Sequence, residues 1–306
     1  MTSPSAASTP PAAGPLRFGL LGTGPWAQRV HGPALVAHPG TELVGVWGRR
    51  PEAAAELADE LSTRAYDDVD ALIADVDAIA VALPPDIQAP LAVRAARAGR
   101  HLLLDKPVAT TVEGARELAD AARDVASVVF FTLRFSAAAA PWIDEQAGRD
   151  GWYTGRADWI GSIYAPDAKS TYADSPWRRD RGALWDVGPH ALSVLLPVFG
   201  EVSEVTGLRG QLDTVHLVLR HASGTTSTST LSLTAPEKAG VVSAELRGAH
   251  GVAELPDIWG DGPLASYGTA IDALVESVRT GEPHPCDVRF GAQVTEILAR
   301  AEASLR

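Results

Sequence analysis

Three polar residues, Lys106, Asp186 and His190, have the types and positions needed for proton-transfer chemistry. Asp186 and His190 are four residues apart, so they share one face if the segment is helical. An imidazole with a neighbouring carboxylate is a good general acid or base near neutral pH. Because proline is tolerated only in the first turn of a helix, Pro189 predicts that this helix begins near Asp186. The alternative is an aspartate that caps the helix and a histidine that packs in the core.

Lys106 follows a short apolar segment, residues 101–104, that is typical of a buried strand. Ligands of open α/β sheets bind at the carboxyl ends of the strands, which is where this lysine would lie. From there its ammonium group can donate a hydrogen bond to a reacting oxygen and offset the charge that develops on it. The alternative is a surface lysine that merely follows a strand.

A glycine-rich turn, Gly22-x-Gly24-x-x-Ala27, follows the predicted strand 16–21 and opens a helix. The first glycine makes the tight turn, and the second lets the backbone approach a pyrophosphate at the helix amino terminus. The pattern therefore predicts a dinucleotide site, with a plain strand-to-helix turn as the alternative. The residues expected to contact the cofactor there are Gly22, Thr23, Gly24, Pro25 and Trp26.

The second predicted strand, residues 41–47, is followed by Gly48, Arg49 and Arg50. An NAD enzyme usually carries Asp or Glu at this place to hold the ribose hydroxyls. Two guanidinium groups instead suit a 2′-phosphate, because they can form bidentate, charge-assisted hydrogen bonds with it. We therefore predict NADP as the cofactor, with NAD as the second choice. The alternative is that both arginines are simply solvated.

The elements that must position these residues fall into two halves. From residue 16 to about 135, strands and helices alternate at spacings of about 10–15 residues, which predicts a parallel sheet wrapped by helices, a Rossmann domain. Residues 136–306 predict an α+β domain with a large, mostly antiparallel open sheet and two closing helices. The extended and helical stretches of this half are residues 211–220, 225–233, 241–247, 266–279 and 290–304. Residues 1–15, rich in Ser, Pro and Ala, predict a flexible tail.

Composition excludes several other classes of protein. The net charge of −12 disfavours nucleic acid as the main partner, and the single cysteine, Cys286, excludes an intramolecular disulfide framework. No apolar run reaches the roughly 18 residues of a membrane span, and the amino terminus lacks the features of a secretory signal. We expect a cytoplasmic protein without a membrane partner. The histidines outside the Asp186–His190 pair are scattered, so no metal site is predicted.

Four segments, in this order, resemble the Gfo/Idh/MocA family of oxidoreductases, which is named for glucose–fructose oxidoreductase and inositol dehydrogenase. They are residues 19–35, 77–110, 181–200 and 275–291. The Glu-Lys-Pro motif of the family is Asp105-Lys106-Pro107 here, and its Asp-x-x-x-His pair is Asp186 and His190. The shorter Asp105 keeps the charge of the usual glutamate.

The resemblance implies hydride transfer between a nicotinamide and a secondary alcohol carbon of a small-molecule substrate, by default a sugar, polyol or cyclitol. It implies that His190 moves the hydroxyl proton, that Lys106 polarises the oxygen and that Asp186 supports both. It also implies further cofactor contacts, at Leu83, Pro84, Gln88, Asp105 and Lys106. The substrate contacts expected from these motifs and from the aromatic and basic residues beside them are Lys106, Trp177, Arg178, Asp186 and His190.

Two departures from the family pattern keep other functions open. Gln88 replaces a histidine that often lies near the cofactor, and Ser193 replaces an aspartate that often follows the motif histidine. The alternatives are a non-catalytic NAD(P)-binding sensor and a glycosidase that oxidises its sugar transiently. The resemblance further implies a homodimer or homotetramer formed through the second sheet.

Overall fold

The computed structural model describes residues 14–165, 168, 170, 175–258 and 262–306, and within these the chain forms two six-stranded sheets. The strands of the first sheet are β1 (Leu16–Leu21), β2 (Thr41–Trp47), β3 (Arg64–Tyr66), β4 (Ala78–Val81), β5 (His101–Asp105) and β6 (Ser127–Phe130). Their order is β3-β2-β1-β4-β5-β6, and every neighbouring pair is parallel. This is the strand order of a Rossmann fold, in which ligands bind where the order reverses, between β1 and β4.

Helices connect the strands of this sheet, and local capping chemistry fixes where several of them begin. They are α1 (Gly32–Ala37), α2 (Pro51–Glu60), α3 (Val69–Asp75), α4 (Pro85–Arg97) and α5 (Val112–Ala121). The Asp68 carboxylate accepts a hydrogen bond from the amide of Asp70 at the start of α3. The Thr111 hydroxyl does the same for the amide of Gly114 at the start of α5. All four residues of β4 are buried, as expected for a strand covered on both faces.

The second sheet has the order β12-β11-β7-β10-β9-β8 and is antiparallel except at the β7–β10 pair. Its strands are β7 (Trp152–Ile160), β8 (Val202–Arg209), β9 (Val215–His221), β10 (Thr226–Ser232), β11 (Val241–Gly248) and β12 (Gly251–Glu254). Buried and exposed side chains alternate without exception along β9, so His216 is exposed and His221 is buried. One face of the sheet is thus covered and the other is open. Together the two sheets confirm the predicted fold class.

The described part of the second half contains five α-helices, and they are α6 (Ala139–Ala147), α7 (Pro176–Asp186), α8 (Gly188–Phe199), α9 (Gly262–Thr280) and α10 (Val288–Ser304). α8 packs on β7, where Gly155 leaves room for the ring of Phe199; a Cβ at this glycine would lie 2.4 Å from that ring. α9 returns to the first sheet, where Tyr267 contacts Phe130 edge to face at 4.9 Å between ring centroids. The last helices therefore hold the two halves together.

Several predicted boundaries differ from the structure. The apolar segment 128–133 predicts a strand, but β6 ends at Phe130, and a 3-10 turn, Thr132–Phe135, follows it. The strand predicted over 211–220 begins only at Val215, because residues 211–214 form a turn in which the amide of Thr214 bonds back to the carbonyl of Gln211. The pattern also missed β3, β7, β8 and β12. β3 and β12 are short, whereas β7 and β8 carry polar or charged residues on the open face and a glycine on the covered face, which breaks the apolar signal.

One helical stretch of the described chain, Pro176–Phe199, is long and apolar enough to cross a membrane. It consists of α7 and α8, and 83% of its most apolar window is buried inside the protein. A core position in the fold accounts for its composition.

Candidate active site

The glycine-rich turn lies at the switch point of the first sheet, directly after β1. Gly22 has a φ of 127°, and a Cβ there would lie 2.3 Å from the carbonyl oxygen of Ala82, which follows β4. Nothing lies within 4 Å of the corresponding position at Gly24, so this glycine faces open space. The turn leads into a single π-helical turn, Ala27–His31, and then into α1. The glycines therefore form a cradle that a pyrophosphate could enter, as predicted.

A cavity of about 650 Å³ extends from this turn along the carboxyl edge of the sheet. It is lined by most of the predicted cofactor residues, namely Thr23, Gly24, Pro25, Trp26, Arg49, Arg50, Leu83, Pro84, Asp105 and Lys106. The second half of the chain contributes Ser175, Trp177 and Arg178 from the start of α7. Trp177 was expected to contact substrate; instead it lines this cavity, because the first turn of α7 lies over the dinucleotide side. We call this space the dinucleotide cavity.

Gln88, a predicted cofactor contact, does not line the dinucleotide cavity. Its side chain is buried in α4, and the amide Nε2 donates to the carbonyl oxygens of Asp105 and Pro107 at 2.8 and 3.2 Å. Its Oε1 accepts a hydrogen bond from the Asp105 amide at 2.9 Å. The glutamine satisfies buried backbone groups around Lys106–Pro107, a cis peptide, and thereby shapes the segment that presents Lys106.

A second cavity of about 280 Å³ shares Trp26, Asp105, Lys106 and Arg178 with the dinucleotide cavity. We call it the substrate-side cavity. Lys106, Asp186 and His190 all line it, so the structure brings the three predicted catalytic residues together. Much of the remaining wall is apolar and was not predicted, including Leu133, Trp159, Ile163 and Ile258. Trp159 lies on β7, a strand that the sequence pattern did not indicate.

Asp186 is the centre of an ion-pair network. Lys106 Nζ donates to the Asp186 carbonyl oxygen at 2.6 Å and to Oδ1 at 3.0 Å. Arg178 Nε donates to Oδ2 at 3.1 Å. Burial alone would raise the pKa of Asp186, but the Lys106 ammonium and the Arg178 guanidinium outweigh burial and lower that pKa to about 2. The carboxylate therefore stays ionised and holds both cations in place.

His190 is buried in the first turn of α8 and makes no hydrogen bond to Asp186. Its Nδ1 has no hydrogen-bond partner among the residues that the structure describes. The imidazole stacks on the indole of Trp159, with 4.3 Å between ring centroids and 19° between planes. Burial first, and then the charge of Lys106, lower the pKa of His190 well below its usual value, so the ring is neutral at physiological pH.

The helix predicted to begin near Asp186 begins two residues later, at Gly188, so it carries His190 but not Asp186. Asp186 is the last residue of α7, and His190 belongs to α8; Val187 between them has φ −109° and ψ −15°. Pro189 does occupy the first turn of α8, as the sequence predicted. The carboxylate bonds to Lys106 and Arg178, and both motif residues still line the substrate-side cavity. Ser193, one turn on, uses its hydroxyl to bond the His190 carbonyl at 2.8 Å.

Asp105 lies at the junction of the two cavities. Its Oδ1 accepts a hydrogen bond from the amide of Lys106 at 2.8 Å. Burial raises the pKa of Asp105, although the Lys106 ammonium opposes this shift. Through its hydrogen bond with the Lys106 amide, the Asp105 side chain holds the backbone that carries the lysine. No group of three or more His, Cys, Asp and Glu side chains that could hold a metal ion is found among the described residues.

Residues 16–132 match the family model described as "oxidoreductase family, NAD-binding Rossmann fold", and residues 153–254 match the C-terminal domain model of the same family. The two matches together cover more than half of the chain and occur in the order of the two sheets. The chain belongs to the GFO/IDH/MocA family of oxidoreductases, which confirms the resemblance seen in the sequence.

Individual relatives are sugar-modifying enzymes by name. The dTDP-3,4-didehydro-2,6-dideoxy-alpha-D-glucose 3-reductase of Streptomyces violaceoruber is 33% identical over 209 residues, which are 65% of this chain and 59% of the relative. The D-glucoside 3-dehydrogenase of Escherichia coli K12 is 28% identical over 198 residues, 61% of this chain and 54% of the relative. These alignments span less than two thirds of the relatives' own length.

The fold is also that of solved structures. The crystal structure of GenD2 from gentamicin A biosynthesis, in complex with NAD, superposes with a TM-score of 0.83. The superposition covers 99% of this chain and 97% of GenD2, at 22% sequence identity. At this identity the likeness shows a shared fold.

Proposed function

We propose that this protein is a dehydrogenase or reductase that transfers a hydride between NADP and a secondary alcohol or ketone carbon of a sugar. The observation that carries this proposal is the shared wall of the two cavities: Lys106 lines both, and Asp186 and His190 line the substrate-side cavity. The relatives named above act at position 3 of a sugar, so a ring carbon bearing a secondary oxygen is the first candidate for the reacting centre.

The residues of the chain would divide the chemistry as follows. When bound, the nicotinamide supplies or accepts the hydride. Lys106 donates a hydrogen bond to the reacting oxygen and offsets negative charge that develops on it. His190, being neutral, takes the hydroxyl proton in the oxidising direction and returns it in the reducing direction. Asp186 stays ionised and keeps the Lys106 ammonium at the wall between the cavities.

The preference for NADP over NAD rests on the end of β2. Arg49 and Arg50 both line the dinucleotide cavity, where a 2′-phosphate would be an acceptor for their guanidinium groups. The preceding residue is Gly48, and a Cβ there would lie 2.6 Å from Thr23 Cγ2 in the glycine-rich turn. An acidic side chain that holds the ribose hydroxyls would therefore displace the turn at this position.

A direct test of the activity follows absorbance at the nicotinamide band with panels of sugars and keto sugars, beside a glycoside hydrolysis assay. We expect net formation or consumption of NADPH with at least one sugar. Cofactor binding without any turnover would favour the non-catalytic sensor. Hydrolysis of a glycoside without net NADPH would favour the transient-redox glycosidase.

The cofactor preference is tested by changing Arg49 and Arg50 together to alanine. Each charge-assisted contact contributes about 1.5–3 kcal/mol, so the affinity for NADP should fall by more than about tenfold while that for NAD changes little. Titration calorimetry with both cofactors measures this difference. The matched control changes two arginines that lie outside both cavities, Arg116 and Arg123, and should leave both affinities unchanged. Equal losses for NADP and NAD in the Arg49/Arg50 variant would remove the preference.

A further inference from the structure

The carboxylate and the imidazole of the motif are held by different partners. Both oxygens of Asp186 already accept hydrogen bonds from cations, Oδ1 from Lys106 at 3.0 Å and Oδ2 from Arg178 at 3.1 Å. Neither oxygen accepts a hydrogen bond from His190, and Nδ1 of that ring is buried with no partner among the described residues. A carboxylate that accepts a hydrogen bond from Nδ1 is the usual way to fix the plane and tautomer of a catalytic histidine. That device is missing from the described site.

The ring of His190 is nevertheless held on one side. Trp159 on β7 lies parallel to it, with 4.3 Å between centroids and 19° between planes. Both residues line the substrate-side cavity, so the indole covers one face of the imidazole and forms part of the cavity wall. Because the backbone of His190 lies in the first turn of α8 and that of Trp159 in the sheet beneath, the stack is fixed from two separate elements.

We propose that Trp159 is the positioning residue for His190: stacking on its indole, instead of a hydrogen bond to Asp186, sets the plane of the imidazole. Nε2 is then the nitrogen that serves the substrate-side cavity, and Asp186 serves Lys106 and Arg178. This inference rests on the proposed function, because it concerns the residue to which that function assigns proton transfer. Trp159 would then position His190, and Asp186 would hold Lys106 and Arg178. In a hydrogen-bonded aspartate–histidine pair the aspartate would do both.

Removing the Trp159 indole and removing the Asp186 charge should shift the pKa of His190 in opposite directions. The charged groups that face His190 are Lys106, from the segment after β5, and Arg178 and Asp186, from α7. Burial is the largest cause of the low pKa of His190, and the Trp159 indole supplies part of that burial. Removing the indole admits water and should raise the pKa of His190. Removing the Asp186 charge takes away a group that favours the imidazolium ion, so the pKa of His190 should fall further.

The experiment compares Trp159→Leu, Trp159→Phe and Asp186→Asn in the full chain with NADP and an active sugar. Trp159→Leu keeps an apolar wall without a ring, and we expect kcat to fall by about tenfold to a hundredfold, the scale of a misplaced catalytic group. Trp159→Phe restores a stacking ring and should return kcat to within a few-fold of the wild type. The acid limb of the pH profile for alcohol oxidation should move to higher pH in Trp159→Leu and to lower pH in Asp186→Asn. NADP affinity and the midpoint of thermal unfolding serve as controls for folding.

A second measurement does not depend on turnover. The ¹⁵N resonances of the His190 imidazole, assigned by their loss in His190→Gln, report its tautomer and titration in the NADP-bound protein. We expect wild-type Nδ1 to show no hydrogen bond to a carboxylate, and the ring to titrate at higher pH in Trp159→Leu. If no sugar is turned over, the proposed function fails, and these spectra still decide how the ring is held.

Several results would overturn the inference. One is a Trp159→Leu substitution that raises KM and leaves kcat unchanged, which would show that the indole only forms a wall of the cavity. Another is a wild-type Nδ1 resonance typical of a carboxylate partner, which decides the matter even if Trp159→Leu does not fold. A third is an upward shift of the His190 titration in Asp186→Asn as large as that in Trp159→Leu.

Discussion

Lys106 and Arg178 place two positive charges against the single carboxylate of Asp186, in a site shielded from water. The side chains of Lys106 and Asp186 are only 9% and 5% exposed, so their attraction is weakly screened. The pKa of Asp186 is accordingly lowered to about 2, whereas the pKa of His190 is lowered by burial and by the same lysine. At neutral pH this leaves one fixed anion, two cations and one neutral base. This charge distribution supports the roles that we propose, proton transfer by His190 and stabilisation of the oxygen by Lys106.

Removing either of these two side chains should damage the chemical step. A positioned acid or base contributes typically about 10²–10⁴-fold, so Lys106→Ala and His190→Ala should each lower kcat/KM by about that factor. NADP affinity should stay within a few-fold, because neither residue is part of the glycine-rich turn. Steady-state kinetics and a fluorescence titration with NADPH measure the two effects, with the exposed Lys238→Ala as the control. Unchanged turnover in both variants would place the reaction elsewhere in the molecule.

His31 offers a test of stability against pH. The ring is fully buried, stacks on Tyr267 at 4.1 Å, and has no hydrogen-bond partner at either nitrogen among the described residues. Burial lowers the pKa of His31 to about 3, whereas the unfolded chain takes up a proton near pH 6.5. Its contribution to stability is therefore complete above about pH 6.5 and declines as the pH falls toward 3.

The expected size of this effect at pH 5 is about 2 kcal/mol of unfolding free energy, relative to pH 7.5. His31→Phe should remove that part of the decline, because phenylalanine does not titrate. Urea unfolding at the two pH values measures it, and the exposed His216→Gln serves as a control that should keep the wild-type decline. Other histidines whose pKa is lowered, such as His101 and His221, contribute to the remaining slope. Equal declines in wild type and His31→Phe would contradict the prediction.

Among the elements, α7 matters most for the site. A kink at Gly182, whose φ is 64°, separates its first turns, which carry Arg178, from its last turn, which carries Asp186. From the end of α7 the Asp186 carboxylate reaches the segment after β5, where Lys106 Nζ lies 3.0 Å from Oδ1. α7 also brings Arg178 to both cavities and Trp177 to the dinucleotide cavity. One helix of the second half thus completes a site whose lysine belongs to the first.

The glycine-rich turn yields a matched pair of substitutions. Gly22→Ala places a Cβ at 2.3 Å from the Ala82 carbonyl and at a positive φ, so it should lower the unfolding free energy by more than about 1 kcal/mol. Gly24→Ala meets open space, so the unfolding free energy should stay within about 0.5 kcal/mol of the wild type. Its methyl group nevertheless points into the space that the cofactor would occupy, and NADP binding should be strongly weakened.

Denaturant unfolding and NADP titration of both glycine variants check this pair. We expect Gly22→Ala to unfold at lower denaturant concentration than the wild type. We expect Gly24→Ala to be as stable as the wild type but to bind NADP poorly. A Gly24→Ala protein with wild-type NADP affinity would argue against a pyrophosphate at this turn.

For the molecule as a whole, the open face of the second sheet is the surface that helices do not cover. The side chains on this face are a mixture of polar and apolar residues. Val218 on β9, for example, lies between Thr206 on β8 and Thr228 on β10. We propose that two copies of the chain associate through this face. Its polar content favours a weaker interface than the apolar ones of obligate dimers.

Sedimentation at micromolar protein should therefore show a mass of at least twice the 32.1 kDa of the chain. Val218→Glu should shift the species toward the monomer, because it places a charge from each copy on the open face. Val36→Glu is the matched control, since both valines are 51% exposed and Val36 lies on α1, away from the sheet. A wild-type chain that sediments only as a monomer would refute the association.

The sequence by itself determined the features that depend on neighbours along the chain. The alternation of strands and helices, the spacing of the glycines and the place of Lys106 after an apolar strand were all predicted and are present in the structure. The strict alternation in β9 likewise places His216 and His221 on opposite faces, which follows from their spacing of five residues along one strand. Periodicity and turn chemistry act over a few residues, so they can be seen in the sequence before any tertiary contact is known.

The tertiary structure alone decided which side chains the site uses and how they are paired. Lys106 and Asp186 are 80 residues apart in sequence and meet where the end of α7 lies beside the segment after β5. Tertiary contacts elsewhere buried Gln88 against the backbone of Asp105, brought Trp177 to the dinucleotide cavity and set Trp159 on His190. Such contacts depend on how whole elements lie against one another, and no local pattern of residue types encodes that geometry.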